Sequence, residues 1–252
     1  KITHRILLNY KIDADVMKRN LPPEFEPKLV NGYAIGGICQ VSLSEMRPNG
    51  LPSIVGVSSH NAAHRIAVTC NQGEGVFVTR RDTNSNLNTF SSGTFFPGVY
   101  KKAKFDIETD TNLYEVQISK DNNILMSFKG KLSTSIPSSS VFNTPQEVSD
   151  FFLKGNIGWS KKENSEEFDT IELNATSWKM QPLEVISEYS SYFYDESKFP
   201  KGSVQLDVFY GWDIDVKEWF IDIKMTGFSG GNMTQWFDSE TSYKKSLKNI
   251  LV

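Results

Sequence analysis

Apolar and polar residues alternate with a period of two along most of the chain, and turn-forming groups interrupt the alternation at close intervals. Period two is the signature of half-buried strands, because successive side chains leave a strand on opposite faces. Strands are expected at 5–12, 25–30, 33–43, 62–70, 75–81, 101–108, 113–120, 124–134, 170–174, 178–189 and 203–210. Asn31-Gly32 is the dipeptide favoured in two-residue hairpin turns, and Asn71-Gln72-Gly73-Glu74 separates two further strands. Pro48, Gly50 and Pro52 mark a loop.

Helices are few. Asp13 reads as the N-cap of a short helix that reaches Leu21 and is stopped by Pro22-Pro23. A polar stretch at 82–92 is expected to hold another, capped by Asp82 or Thr83. Thr144-Pro145-Gln146-Glu147 starts a third, which Gly155 ends. A charged loop follows at 161–167, and the tail at 238–251 has helical composition. Many close strands with few helices predict a mainly β (α+β) fold, a barrel or strongly curved sheet with a few short peripheral helices. No repeat or linker divides the 252 residues, so one domain over 1–252 is expected.

With 17 Phe and 9 Tyr there is ample material for a core. The 27 Lys+Arg against 30 Asp+Glu give a net charge of -3, a balance without the basic stripe of a nucleic-acid binder. No run approaches the ~20 apolar residues of a membrane span, so no membrane partner is expected. The opening Lys1-Ile2-Thr3-His4-Arg5 lacks the apolar core of a signal peptide, and a cytoplasmic location follows as an expectation. Cys39 and Cys70, each within an apolar strand-like run, are then expected to be reduced and separate. Asn174-Ala175-Thr176 and Asn232-Met233-Thr234 match the glycosylation triplet, a pattern that arises often by chance.

Arg80-Arg81-Asp82-Thr83-Asn84 is the densest polar cluster at a strand exit. Two guanidiniums beside a carboxylate suit a bidentate anion site at the rim or wall of a pocket; the alternative is that Asp82 only caps a helix. Arg65 lies in an apolar strand beside the small residues Ala67 and Thr69, suited to binding a carboxylate or to pairing with an internal acid. His60 and His64 have zinc-protease spacing, but Asn61 stands where the base would be. In a strand, residues four apart lie ~13 Å apart, too far to share a metal. No metal or cofactor is expected, and no nucleophile elbow, phosphate loop or dinucleotide fingerprint occurs.

Several segments resemble an uncharacterised bacterial family distantly related to acetoacetate decarboxylase. They are His4 to Tyr10 with Leu21-Pro22-Pro23-Glu24-Phe25-Glu26-Pro27, Gly32 to Cys39, and Asn61-Ala62-Ala63-His64-Arg65. Gly75-Val76-Phe77 with Arg81 to Ser85, Phe96 to Ala103, Trp178 to Glu184, and Ser203 to Asp207 extend the match over 4–210. The resemblance implies an acetoacetate decarboxylase-like β barrel or cone enclosing a pocket for a small anionic or carbonyl-bearing metabolite.

The decarboxylase works through a Schiff-base lysine whose pKa is lowered by an apolar pocket and a second lysine. Its Gly-x-Pro-Lys-Lys-Leu-Ala signature is nearest to Pro97-Gly98-Val99-Tyr100-Lys101-Lys102-Ala103. Anchoring on Ala103 puts Tyr100 at the Schiff-base position and Lys101 beside it. Strand parity instead groups Lys101 with Ala103, Phe105 and Ile107, and Lys102 with Lys104, Asp106 and Glu108. Lys101 is therefore the candidate nucleophile, with Arg65, Arg81, Asp82, Asn84 and Tyr100 as candidate ligand-binding residues. At the rough position of the decarboxylase's pocket carboxylates stand His60 or Asn61, neither an acid. Three readings stay open: a lyase of the Schiff-base type, a binding module that has lost the lysine chemistry, and a hydrolytic or isomerising enzyme. Whether copies of the chain associate is also open.

Overall fold

The computed structural model describes residues 2–46, 52, 54, 56–90, 98–110, 112–175, 180–212 and 221–226. The alternating segments form fifteen strands in chain order. The first six are β1 (Ile2–Asp13), β2 (Glu26–Pro27), β3 (Leu29–Val30), β4 (Tyr33–Met46), β5 (Val57–Cys70) and β6 (Gly73–Thr83). Then come β7 (Tyr100–Lys102), β8 (Lys104–Thr109), β9 (Leu113–Lys120), β10 (Asn123–Leu132) and β11 (Ile157–Lys161). The last are β12 (Phe168–Ala175), β13 (Met180–Ser190), β14 (Val204–Trp212) and β15 (Ile221–Thr226). Three short helices accompany them: α1 (Ala14–Arg19), α2 (Asn86–Phe90) and α3 (Pro145–Lys154). None is long and apolar enough to cross a membrane.

All strands join one sheet, whose main path is β15-β12-β11-β6-β5-β4-β1-β14-β13-β10-β9-β8. Pairing is antiparallel except where β6 meets β7 and β11. Among the described residues no ladder joins β15 to β8, so the sheet is open. It is nevertheless strongly curved. His4 on β1 stacks on Tyr114 of β9, and His60 on β5 stacks on Phe105 of β8, with ring centroids 5.5 and 6.2 Å apart. The chain also bridges the two limbs. β7 pairs with β6, and β8, beginning two residues after β7 ends, pairs with β9. Buried Ala103 sits at that crossing and donates its N–H to the Thr83 carbonyl at 2.9 Å.

The inner face gathers Ile6, Leu8, Tyr10 and Ile12 of β1 with Ile38, Ile66, Phe77, Phe128 and Phe209. Phe193 and Phe199, from the turn after β13, plug the same core and pack against Tyr192. The outer face carries Leu7, Ile35, Ala67, Val208 and Tyr210, covered by Val148 and Phe152 of α3 and by Val141 and Phe142. Cys39 packs on the outer cluster and Cys70 on the inner one; both are free thiols.

Local signals act as anticipated at several places. Asp13 caps α1 by accepting the Val16 N–H at 2.9 Å, and Thr144 caps α3 by accepting that of Glu147 at 3.2 Å. Asn31 and Gly32 both have positive φ, 49° and 83°, and join β3 to β4 as a two-residue turn.

Between β6 and α2 the structure departs from expectation. β6 runs on through Thr83, because Asn61, Ala62 and Ala63 continue to pair with Thr83, Asp82 and Arg81. Asp82 is thus a strand residue, and α2 starts later, where Ser85 Oγ accepts the Asn88 N–H at 3.2 Å. Beyond Trp212, β15 adds a strand on β12 that was not anticipated. The helical reading of 238–251, the Phe96-Pro97 pair and Trp178 lie outside the described residues.

The β1–β4 contact depends on the lack of a side chain at Gly37. A Cβ there would stand 2.3 Å from the Leu8 carbonyl oxygen and 2.8 Å from Asn9 Oδ1. Backbone in the middle of a sheet cannot move aside locally. Gly37→Ala is expected to destabilise the fold by ~3 kcal/mol, read as a lowered urea midpoint at unchanged slope. A midpoint equal to wild type would show that the sheet has slack at this crossing.

Candidate functional site

Three rungs of the sheet bring polar residues onto an otherwise apolar inner face. His4, Ser42 and His60 form the first, on β1, β4 and β5. The second runs Gln40, Ala62, Asp82 and Lys101 across β4, β5, β6 and β7. Ile38, His64 and Arg80 make the third.

Arg80 and Asp82, two apart on one strand, share a face and meet directly. Arg80 Nε donates to the Asp82 carboxylate at 2.8 and 3.1 Å, and Nη2 donates at 2.9 Å. Asp82 is only 1% exposed. This bidentate contact satisfies a buried acid that would otherwise be costly. On the first rung Gln40 Nε2 lies 3.1 Å from Ser42 Oγ, which lies 2.7 Å from His60 Nδ1. Asn84 fixes His60 from the far side: its Oδ1 accepts the His60 N–H at 2.8 Å, and its N–H donates to the His60 carbonyl at 3.1 Å.

All three histidines are driven toward the neutral form. Burial lowers His64 to about 3, with the Arg80 cation adding to the effect. Its ring lies against Tyr192 and Phe193, and neither nitrogen has a hydrogen-bond partner. Burial lowers His4 to about 4, with a contribution from His60. His60, half-buried, is lowered by the same desolvation.

A cleft of about 610 Å³ opens beside this cluster, at the end where β7 passes into β8. Asn84, Ala103, Phe105 and Ser119 line it together with three lysines, Lys102, Lys104 and Lys120, and one acid, Asp121. Lys102 Nζ donates to the Asn84 carbonyl, and Lys104 pairs with Asp106 at 2.8 Å.

The residues singled out from sequence divide between the two faces. Asp82 lies inside, and Lys101 is its register partner, but the Lys101 side chain is exposed. The burial expected from its parity with Ala103, Phe105 and Ile107 holds for Ala103, which is buried, and for Phe105 and Ile107, which pack on the core. It stops short of Lys101, which sits where β7 is only three residues long.

Arg81 and Asp82, expected together at the rim or wall of a pocket, lie on opposite faces. Adjacent strand residues face opposite ways, so Arg80, not Arg81, holds the acid. Arg81 lies on the outer face, donating to Ser160 Oγ at 2.8 and 3.3 Å with its guanidinium over the Tyr100 ring at 5.6 Å. Arg65 is also outside, buried under α3. Its Nη2 donates to Asn9 Oδ1 at 3.1 Å and its guanidinium stacks on Phe152 at 4.6 Å. Burial lowers its pKa to about 10, opposed in part by Cys39 and furthered by Arg5. Asn84 touches the cleft and anchors His60.

Gln40 and Ser42 were missed. Their signal was legible: both fall on the Ile38 parity of β4, polar breaks in an apolar face. Among the described residues no group of three or more His, Cys, Asp and Glu could hold a metal.

A family model described as an uncharacterized conserved protein, DUF2071, matches residues 1–210. The chain belongs to the DUF2071 family. Among proteins of curated function none matches it. Solved structures share the fold of this DUF2071 chain at low identity. Acetoacetate decarboxylase from Legionella pneumophila superposes with TM-score 0.56 and 10% identity, over 82% of this chain and 79% of that one. An acetoacetate decarboxylase-like enzyme from Sphingomonas wittichii gives 0.51 and 12%, over 82% and 86%. The enduracididine biosynthesis enzyme MppR, complexed with pyruvate, gives 0.51 and 9%, over 82% and 84%. The fold of the DUF2071 chain is therefore acetoacetate decarboxylase-like.

Its buried histidines predict an acid-sensitive fold. Unfolding returns His64 and His4 to an ordinary pKa near 6.5, so the unfolded chain binds more protons between that value and about 3 or 4. Stability is full above pH 6.5 and falls as the pH drops below it. Each histidine should contribute ~2 kcal/mol of loss between pH 7 and pH 5. His64→Phe, which suits a ring packed on Tyr192 and Phe193, should remove one share. Urea midpoints at the two pH values check this; equal losses in wild type and variant would refute the assignment to His64.

Proposed function

We propose that the chain binds a small anionic or carbonyl-bearing metabolite at the cleft beside the inner polar cluster, without Schiff-base chemistry at Lys101. The observation that carries this reading is the exposure of Lys101. An amine serves as a nucleophile near neutral pH when its pocket excludes water, and a lysine side chain open to solvent lacks that setting. Lys102 and Lys120 leave positive charge at the cleft in excess of Asp121, with Lys104 paired to Asp106, and that excess favours an anion; Phe105 supplies an apolar contact. The Asn84 amide offers a hydrogen bond at the same place.

A lyase reading keeps one specific support. Lys101 is in register with buried Asp82, and the fold is shared with acetoacetate decarboxylase and with an enzyme complexed with pyruvate. The two readings separate in one experiment. Pyruvate and acetoacetate should each perturb amide resonances of the cleft residues, and borohydride should leave Lys101 unmodified in their presence. Joint replacement Lys102→Ala and Lys120→Ala should weaken that binding roughly fivefold, as expected for two exposed charges. A reduced adduct that is lost in Lys101→Ala and kept in Lys102→Ala would establish the lyase reading instead.

A further inference from the structure

Ser42 and His60 face each other across the β4–β5 ladder as register partners, so their spacing is set by the sheet and not by a mobile loop. Gln40, two residues from Ser42 on the same face, places its amide nitrogen 3.1 Å from Ser42 Oγ. An amide nitrogen only donates. The serine oxygen therefore accepts from Gln40 and lies 2.7 Å from His60 Nδ1, to which it gives its own proton when the neutral ring is the Nε2–H tautomer. That acceptance requires Nδ1 to be unprotonated, placing the ring proton on Nε2. Burial of His60 favours the neutral ring. The base is itself held: Asn84 grips its backbone on both sides and Phe105 stacks on its ring. Asn84 and Phe105 also line the cleft, so His60 packs directly behind two of its lining residues, with buried Ser42 beyond it.

We infer that Ser42 and His60 form a nucleophile–base pair for acyl transfer from a small ester bearing an anionic group. A base within hydrogen-bond reach of a hydroxyl, itself oriented by a third group, is the arrangement that activates a serine. In the acylation step Ser42 Oγ forms a bond to the ester carbonyl carbon and gives its proton to His60 Nδ1. The carbon–alkoxide bond then breaks, and His60 returns the proton to the leaving alcohol. Water, deprotonated by His60, attacks the acyl-serine, and Ser42 recovers its proton as the acid departs. Gln40 acts as a positioning residue, since it orients the hydroxyl without touching substrate. The anionic preference rests on the binding proposed for the cleft; the pair itself does not.

The test is covalent labelling of the full chain with a fluorophosphonate probe, followed by peptide mapping. The expected result is an adduct on Ser42, absent from Ser42→Ala and formed at least tenfold more slowly in His60→Gln and His60→Asn. Circular dichroism checks that each variant is folded, and the wild-type result stands without them. No adduct on Ser42 in the folded wild-type protein, while a serine hydrolase labels under the same conditions, would overturn the inference. So would a Ser42 adduct whose rate ignores His60, because the hydroxyl would then react without its base. Failure of labelling with keto-acid binding intact removes the pair and leaves the binding proposal standing. Labelling on Ser42 with no keto-acid binding supports the pair and removes the anion reading.

Discussion

The crossing at Ala103 is the constraint on which the site depends. A sheet whose path ends at β15 and β8 could splay into a flat layer with an exposed apolar face. It does not, because one short stretch of chain pairs with both limbs, β7 on β6 and β8 on β9. Ala103 is small enough to be buried at the step, and its N–H is satisfied by Thr83. Two consequences follow from this geometry. Phe105 is carried against His60, and Lys101 is carried beside Asp82. The polar rungs therefore meet β8 across a gap that the main strand path alone would leave wide.

Electrostatics then divides that polar region into parts with different capacities. Asp82 is buried with Arg80 as its bidentate partner, so the two side chains are occupied with each other. His64 is enclosed by aromatic rings and kept neutral, a polar group serving the core. His60 differs, since it is only half-buried and its Nδ1 meets a hydroxyl. The lysines that line the cleft, Lys102, Lys104 and Lys120, stay in water together with Asp121. The exposed lysines and the serine–histidine contact are consequently separated in space.

Much of the fold was legible because period-two alternation, an Asn-Gly turn and helix caps are local signals, and apart from the cap read at Asp82 or Thr83 they act where they were read. The mainly β class, the capping by Asp13 and Thr144 and the hairpin at Asn31-Gly32 all follow from chemistry within a few residues. The site was less legible for a single reason. Facing depends on where a strand ends, and Arg81-Asp82 was assigned to the end of β6 when the strand continues to Thr83. One misplaced boundary made neighbours of residues that lie on opposite faces. Arg65 shows a second limit. Small residues on its face, Ala67 and Ala63, leave room for a long side chain, but parity cannot say which face is the interior of a curved sheet. That is decided by α3, whose Phe152 covers the guanidinium.

The same parity argument bears on how chemistry could change within this fold. In a strand, moving a functional group by one residue sends it through the sheet, whereas moving it by two, or to the facing position on the next strand, keeps it in the same chamber. Gln40, Ser42, His60 and Asp82 all satisfy that condition: they occupy facing or next-but-one positions on β4, β5 and β6. Lys101 on β7 is a different case, because β7 is only three residues long and too close to the crossing to bury a long amine. The inner wall formed by β4, β5 and β6 can therefore carry a new reactive group without rebuilding the sheet.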